Sequence, residues 1–244
     1  MEELFEKVGF ICEYRDEFTK FYEPYFNSEV ELKDFFMQVF KYDEIDKTPR
    51  RVMNQIQHLV SLANDIEKIR PARDSLRIVF LQSCIESMYK LSEDNAGKYN
   101  KKDKGNFFRD MINDEGKQYI LEHFKFSFVE PAYESDDNSQ LLFDRKGRYS
   151  LSIEDFGWLV YQMRGMVLHE GDYWSMQFFA YDADSTWMVS IETKEDILKF
   201  QKNKEKRNLI YHFQTTLNYE KFIYYFVKGC LNFLYEYMMY KKYI

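Results

Sequence analysis

The chain has 244 residues, 45% hydrophobic and 31% charged, which is typical of a globular protein and excludes wholesale disorder. Only nine glycines and four prolines interrupt it, so long helices are favoured over a turn-rich β fold. The net charge of -7 argues against a protein that coats nucleic acid non-specifically, because the phosphate backbone repels an acidic surface.

Cysteine usage and the lack of a long apolar stretch indicate the compartment. The chain has an odd number of cysteines, and Cys12, Cys84 and Cys230 lie far apart and form no CxxC pair. This pattern favours reduced thiols over disulfides or a zinc site. The N-terminus is acidic and lacks the basic and apolar regions of a signal peptide. No stretch reaches 18 apolar residues. We therefore expect a soluble cytoplasmic protein that does not associate with membranes.

The first part of the chain, residues 1–70, is predicted to be a helical extension. Amphipathic spacing predicts helices over residues 2–22, 29–41 and 48–69. Thr48 is the predicted N-cap of the third helix, with Pro49 at its first helical position.

Residues 71–244 are predicted to form the main helical domain, with its central helix starting at Pro71. The apolar positions of that helix are Leu76, Val79, Phe80, Cys84, Ile85, Met88 and Leu91. The remaining predicted elements are helices over 106–123, 194–200 and 215–240, strands over 124–129 and 187–191, and a hairpin over 141–153. Ser152 and Asp155 match a capping box that opens one further helix. The predicted fold is mainly α, a helical bundle with an N-terminal extension and a small β-hairpin insertion.

One segment after this capping box carries a candidate for chemistry. Residues 156–174 read FGWLVYQMRGMVLHEGDYW, in which four residues separate Arg164 from His169, and Gly171 follows. In an ideal helix Arg164 and His169 are about 140° apart around the axis and roughly 7.5 Å along it, so they flank a strip of surface. Arginine offers a charged fork to phosphate oxygens, and histidine can transfer protons near neutral pH.

The arrangement of Arg164, four residues, His169, Glu170 and Gly171 resembles the HEPN (higher eukaryote and prokaryote nucleotide-binding) superfamily. The resemblance covers about residues 71–240 and implies a HEPN-like bundle that dimerises, with two arginines and two histidines around one cleft. It also implies metal-independent RNA cleavage by attack of the ribose 2′-hydroxyl on the adjacent phosphorus, with no cofactor. Arg164 would neutralise the developing charge, and His169 would act as general acid or base. A role as a toxin, paired with an antitoxin, or in bacterial defence also follows only from the resemblance.

A rival motif consists of Arg207, Asn208 and His212. Its asparagine matches the common form of the family better than Gly165, which occupies that position in the preferred motif. The rival follows a lysine-rich run rather than an amphipathic helix, and for this reason Arg164 and His169 are preferred. A third match, Arg51 with His58, lies in the middle of a predicted helix.

A different class of function fits the same sequence. Gly165 and the acidic net charge favour a non-catalytic HEPN-like module that binds a partner protein, a nucleotide or RNA. In a purely structural interpretation, Arg164 pairs with an acidic residue and His169 satisfies carbonyls at its helix end. The sequence contains no HExxH motif or other group at metal-ligand spacing, so no metal site is predicted.

Overall fold

The computed structural model of the chain describes residues 12–92, 106–131, 150–171, 176–178, 187–193 and 208–242. It is mainly helical, as predicted, and contains a small antiparallel sheet. The helices are α1 Cys12–Tyr22, α2 Glu29–Tyr42, α3 Thr48–Ile69, α4 Asp74–Ser92, α5 Asp114–His123, α6 Ile153–Gly165 and α7 Tyr219–Lys242. The strands are β1 Phe124–Pro131, β2 Trp187–Thr193 and β3 Leu209–Thr215. Short turns are the 3-10 turn Glu23–Tyr25 and the π turns Phe107–Met111 and Met166–Glu170.

Helix α2 forms where the hydrophobic spacing predicts it. The hydroxyl of its N-cap Ser28 accepts a hydrogen bond from the Glu31 backbone N–H at 3.2 Å, which satisfies one of the free amides of the first turn. Its buried face consists of Leu32, Phe35, Phe36, Val39 and Phe40, which recur at helical spacing. The helical period and the local cap therefore suffice to define this element.

The predicted starts of α3 and α4 are wrong in detail. Thr48 is the first helical residue rather than the cap, and its backbone N–H donates to Asp46 Oδ1 at 2.8 Å. Helix α4 begins at Asp74 rather than at Pro71, because Ala72 adopts a positive φ of 57° that interrupts the helical path. Helix α4 packs against both α3 and α6. Of its seven predicted apolar positions, Cys84, Ile85 and Met88 are buried, whereas Leu76, Val79, Phe80 and Leu91 are half-buried.

The helix predicted over residues 106–123 is interrupted. A buried π turn over Phe107–Met111 ends at Ile112, and Asn113 takes an extended conformation that begins α5. Asn113 Oδ1 accepts the Gly116 N–H at 2.9 Å, so its side chain replaces the helical hydrogen bond that would have continued the turn. Hydrophobic residues keep a helical spacing across the break, so this spacing alone did not reveal that the Asn113 side chain competes with the helix backbone.

The sheet has the order β1-β3-β2, and both pairings are antiparallel. The strands predicted over 124–129 and 187–191 are confirmed, whereas the central strand β3 was not predicted. Because Thr215 ends β3, helix α7 begins at Tyr219 and not at the predicted residue 215. Ile153, predicted to end a hairpin, is the first residue of α6. The predicted elements over 141–149, 194–200 and 2–11 lie outside the described residues.

One hydrophobic cluster contains buried residues from both sides of residue 70. The rings of Phe35 and Tyr235 are 5.0 Å apart, and Tyr25 stacks on Tyr224 at 5.9 Å, so helices near the N-terminus pack on α7. The division into an extension and a main domain stays a prediction. Cys84 and Cys230 are buried, unlinked thiols. In the described part of the chain, no helix combines the length and apolar character that crossing a bilayer requires.

Candidate functional site

The predicted capping box positions helix α6. Ser152 Oγ accepts the Asp155 N–H at 3.1 Å, and Asp155 Oδ2 accepts the Ser152 N–H at 3.0 Å. This reciprocal pair begins the helix with Asp155 in the place that glutamate usually takes. The buried face of α6 is formed by Phe156, Leu159, Val160 and Met163. Helix α6 is thus fixed by a cap at its N-terminus and by core packing along its length. This packing holds its C-terminal end, where the motif lies, in place.

Arg164 occupies the last turn of α6 and is held by helix α4. Its Nη2 donates to Glu86 Oε2 at 3.2 Å, and the two side chains keep 23% and 27% of their surface exposed. Its Nε is buried without a hydrogen-bond partner. The guanidinium is therefore oriented by a carboxylate but is open to solvent on one side, and one of its donors is unused.

His169 lies in the π turn that continues α6. The Gly171 N–H donates to the Met166 carbonyl, five residues earlier, and Gly171 itself is left-handed with a φ of 70°. His169 and its neighbour Leu168 are exposed, whereas Met166 and Val167 are buried. A π turn winds more residues into each turn than an α-helix, so the 140° separation expected from Arg164 does not apply. Helix breaks of this type occur frequently at functional sites.

The rival histidine lies on the sheet rather than at a helix end. His212 is in the middle of β3, and Arg207 lies outside the described residues. His212 Nε2 is 3.0 Å from Glu130 Oε1 on β1, and its Nδ1 is 3.0 Å from Ser190 Oγ on β2. Phe128 stacks on the imidazole with ring centroids 4.2 Å apart. The rival histidine thus has partners on both of its ring nitrogens.

Asn208, just before β3, is also engaged. Its Nδ2 donates to Glu192 Oε1 on β2 at 2.8 Å, while its Oδ1 is buried without a hydrogen-bond partner. The third match, Arg51 with His58, has both side chains exposed on helix α3. Among the described residues of the three motifs, Arg164 and His169 alone lie at the end of a helix.

Sequence reasoning missed the partners of Arg164 and His212, namely Glu86, Ser190 and Glu130. Each is far along the chain from the residue that it contacts, and no local pattern joins them. Strand β3 itself could have been found, because Leu209, Tyr211 and Phe213 alternate with more polar or exposed positions. The pairing of β3 with its neighbours required the structure.

Comparison with protein-family models, with curated proteins and with solved structures finds no match to this chain. Within the described ranges, no group of three or more His, Cys, Asp or Glu side chains is arranged to hold a metal ion. The candidate chemistry therefore depends on the positions and partners of the side chains themselves.

Proposed function

We propose that this chain is a metal-independent endoribonuclease of HEPN-like type that acts as a cytoplasmic homodimer. The observation that carries the proposal is the helix end after α6, where an exposed His169 follows a partly exposed, oriented Arg164. A cation that keeps its charge and an imidazole accessible to solvent are the two groups that phosphodiester cleavage by a 2′-hydroxyl requires. A role as a toxin or in defence, with an antitoxin as partner, belongs to the same proposal.

In this mechanism the protein supplies charge and a proton relay. Glu86 holds the Arg164 guanidinium in place before RNA binds, and a phosphate oxygen then competes for the same donors. His169 takes the proton of the 2′-hydroxyl or donates one to the leaving 5′-oxygen. A second copy of the chain contributes the same pair across a two-fold axis. Leu168, half exposed beside His169, is suited to burial at that contact.

A non-catalytic module that binds a protein, a nucleotide or RNA is the second candidate. The Arg164–Glu86 ion pair favours it, because a paired arginine is a common structural feature and Gly165 supplies no polar group beside it. A binding module keeps its affinity for its ligand but cleaves no RNA, so cleavage separates the two candidates.

The first test is incubation of structured and single-stranded RNA with the purified protein in EDTA. We expect the wild type to cleave RNA and Arg164→Ala and His169→Ala to lose at least ~100-fold in rate. Arg51→Ala and His58→Ala are matched controls, because both side chains are exposed and separated along one helix, and these variants should cleave normally. His212→Ala tests the rival motif. An inactive wild type, or equal cleavage by the wild type, Arg164→Ala and His169→Ala, contradicts the proposal and leaves the binding module.

A second test uses the departure from the family at Gly165. A Cβ added at this residue meets no atom within 4 Å, so Gly165→Asn can restore the polar residue of the common form without a clash. We expect this variant to cleave RNA faster than the wild type does, and Gly165→Ala, which adds no polar group, to leave the rate unchanged. Equal rates for all three proteins would show that the asparagine has no role here.

A further inference from the structure

A row of three hydrogen-bonded side chains crosses the sheet and shares no residue with the Arg164 and His169 pair. Ser190 on β2, His212 on β3 and Glu130 on β1 are joined by contacts of 3.0 Å on each side of the imidazole. We propose that this row is a second catalytic site, in which Ser190 is the nucleophile of an acyl-transfer reaction on an uncharged ester or thioester. This activity does not depend on the proposed RNA cleavage.

The geometry is that of a serine activated by an oriented base. When the imidazole proton is on Nε2, it is donated to Glu130, and the Nδ1 lone pair then accepts the Ser190 hydroxyl proton. Antiparallel pairing places Ser190 directly opposite His212, and Phe128 stacks on the ring from the β1 side. The imidazole is thus held on three sides, as is required of a base that must keep one tautomer.

The exposure of the row suits a site rather than an interior network. The His212 side chain is 12% exposed and that of Glu130 is 37% exposed, so the base is sheltered while the row is accessible at its edge. Ser190 is half-buried on β2. Substrate can reach Ser190 at its partly exposed position on β2, while the sheltered imidazole is kept from most solvent.

The reaction balances without any added cofactor. Ser190 Oγ forms a bond to the acyl carbon while its proton passes to His212 Nδ1, and Glu130 stabilises the resulting imidazolium. Collapse of the tetrahedral intermediate breaks the bond to the alcohol or thiol, which takes the proton from Nδ1. Water then attacks the acyl-serine by the same route and releases the carboxylic acid and a free serine.

The neighbours of the row on the same sheet face define the substrate class. Side chains alternate across a sheet, so Met188, Ser190 and Glu192 lie on one face of β2. Met188 is 45% exposed, and Ile210 of β3 lies half-buried on this face, so both offer apolar contact to an acyl chain. The carboxylates of Glu130 within the row and of Glu192 beside it repel an anionic substrate. We therefore expect an uncharged substrate with an apolar acyl group.

The test is covalent labelling of the full chain with a fluorophosphonate, followed by mass spectrometry to locate the adduct. We expect the wild type to be labelled at Ser190, Ser190→Ala to be unlabelled, and His212→Asn to react at least ~100-fold more slowly. Ser150→Ala is the matched control, because Ser150 is an exposed serine outside the sheet, and it should react as the wild type does. Hydrolysis of p-nitrophenyl butyrate should follow the same order.

Absence of a Ser190 adduct in the wild type overturns the proposal, and so does equal labelling of the wild type and His212→Asn. Glu130→Gln keeps an oxygen that can accept from Nε2 but removes the charge, so its labelling should be slower than that of the wild type while its circular dichroism spectrum is unchanged. Ser190→Ala should cleave RNA at the wild-type rate. Because this variant loses only the acyl-transfer nucleophile, its RNA cleavage tests the ribonuclease separately from the acyl-transfer site.

Discussion

Several ionisable side chains change their proton affinity when the chain folds. Burial raises the pKa of Asp74, although its Oδ2 accepts the Phe178 N–H at 2.6 Å and Arg77 lies beside it. This carboxylate joins residues 176–178 to the start of α4, so its role is structural. Burial also raises the pKa of the Cys230 thiol, next to Cys84, which keeps this interior cysteine in the unreactive protonated form.

His123, at the end of α5, is expected to make folding sensitive to acid. Burial lowers its pKa, with Lys221 and Lys125 acting in the same direction and Glu122 opposing them. The unfolded chain therefore binds the proton more tightly, so stability is fully present above the unfolded pKa of about 6.5 and is lost as the pH falls through the lower folded value.

Urea unfolding at a series of pH values from neutral to acidic checks this expectation. His123→Gln, which can keep a hydrogen bond to Thr216 Oγ1, should show a weaker loss of stability on acidification than the wild type. His58→Gln removes an exposed histidine and should behave as the wild type does. Identical pH dependence in all three proteins would contradict the assignment to His123.

At the scale of elements, caps and close approaches set where the helices begin and how they meet. Ser28, Asn113 and Ser152 each accept a backbone N–H through the side chain, and each begins a helix at a defined residue. Helix α7 lies close to the π turn over Phe107–Met111 at Gly229. A Cβ at that position would stand 2.6 Å from Ile112 Cδ1 and 3.2 Å from Phe107 Cζ, so the absence of a side chain permits this contact.

Two glycine-to-alanine substitutions should therefore have opposite effects. Gly165→Ala places a methyl group in open space within a helix and should stabilise the protein by about 1 kcal/mol. Gly229→Ala gains the same helix propensity but overpacks the α7 contact at a cost of about 1–3 kcal/mol, so the expected net loss is about 0–2 kcal/mol. The free energy of unfolding in urea measures both. A Gly229→Ala variant as stable as Gly165→Ala would show that α7 can move away without cost.

At the scale of the whole molecule, the sheet joins strands from distant parts of the chain. Strands β1 and β2 both pair with β3, and their inner residues Val129, Val189 and Phe213 are buried in the common core. The outer face of the sheet carries the serine, histidine and glutamate row, and the end of α6 carries the arginine and histidine pair. Only the second of these sites is proposed to need another copy of the chain.

Mixing inactive variants tests that requirement. Co-expressed Arg164→Ala and His169→Ala chains, purified as a heterodimer through different tags, contain one intact arginine and one intact histidine in a shared cleft. We expect them to recover part of the cleavage activity. A heterodimer of Arg164→Ala with the Arg164→Ala/His169→Ala double variant has no Arg164 in either chain and should stay inactive. A protein that is monomeric in solution, or a heterodimer without recovered activity, would contradict the shared cleft.

Local sequence patterns were enough to predict the features that depend on neighbours within one or two turns. The amphipathic face of α2, the capping box of Ser152 and Asp155, and the arginine and histidine spacing after α6 were all readable, because each is set by residues three to seven positions apart. Even there, the helix starts near Asn113 and Ala72 differ from those that hydrophobic spacing predicts. The causes are the side-chain hydrogen bond of Asn113 and the positive φ of Ala72.

The tertiary structure alone decided which distant side chains meet. Glu86 reaches Arg164 across 78 positions, and Glu130 reaches His212 across 82. Such contacts follow from the pairing of strands and the packing of helices, which are selected by burial of the whole apolar surface and not by any local pattern. For this reason Arg164, His169 and His212 could be selected as candidates from the sequence, but the partners of Arg164 and His212 could be identified only from the fold.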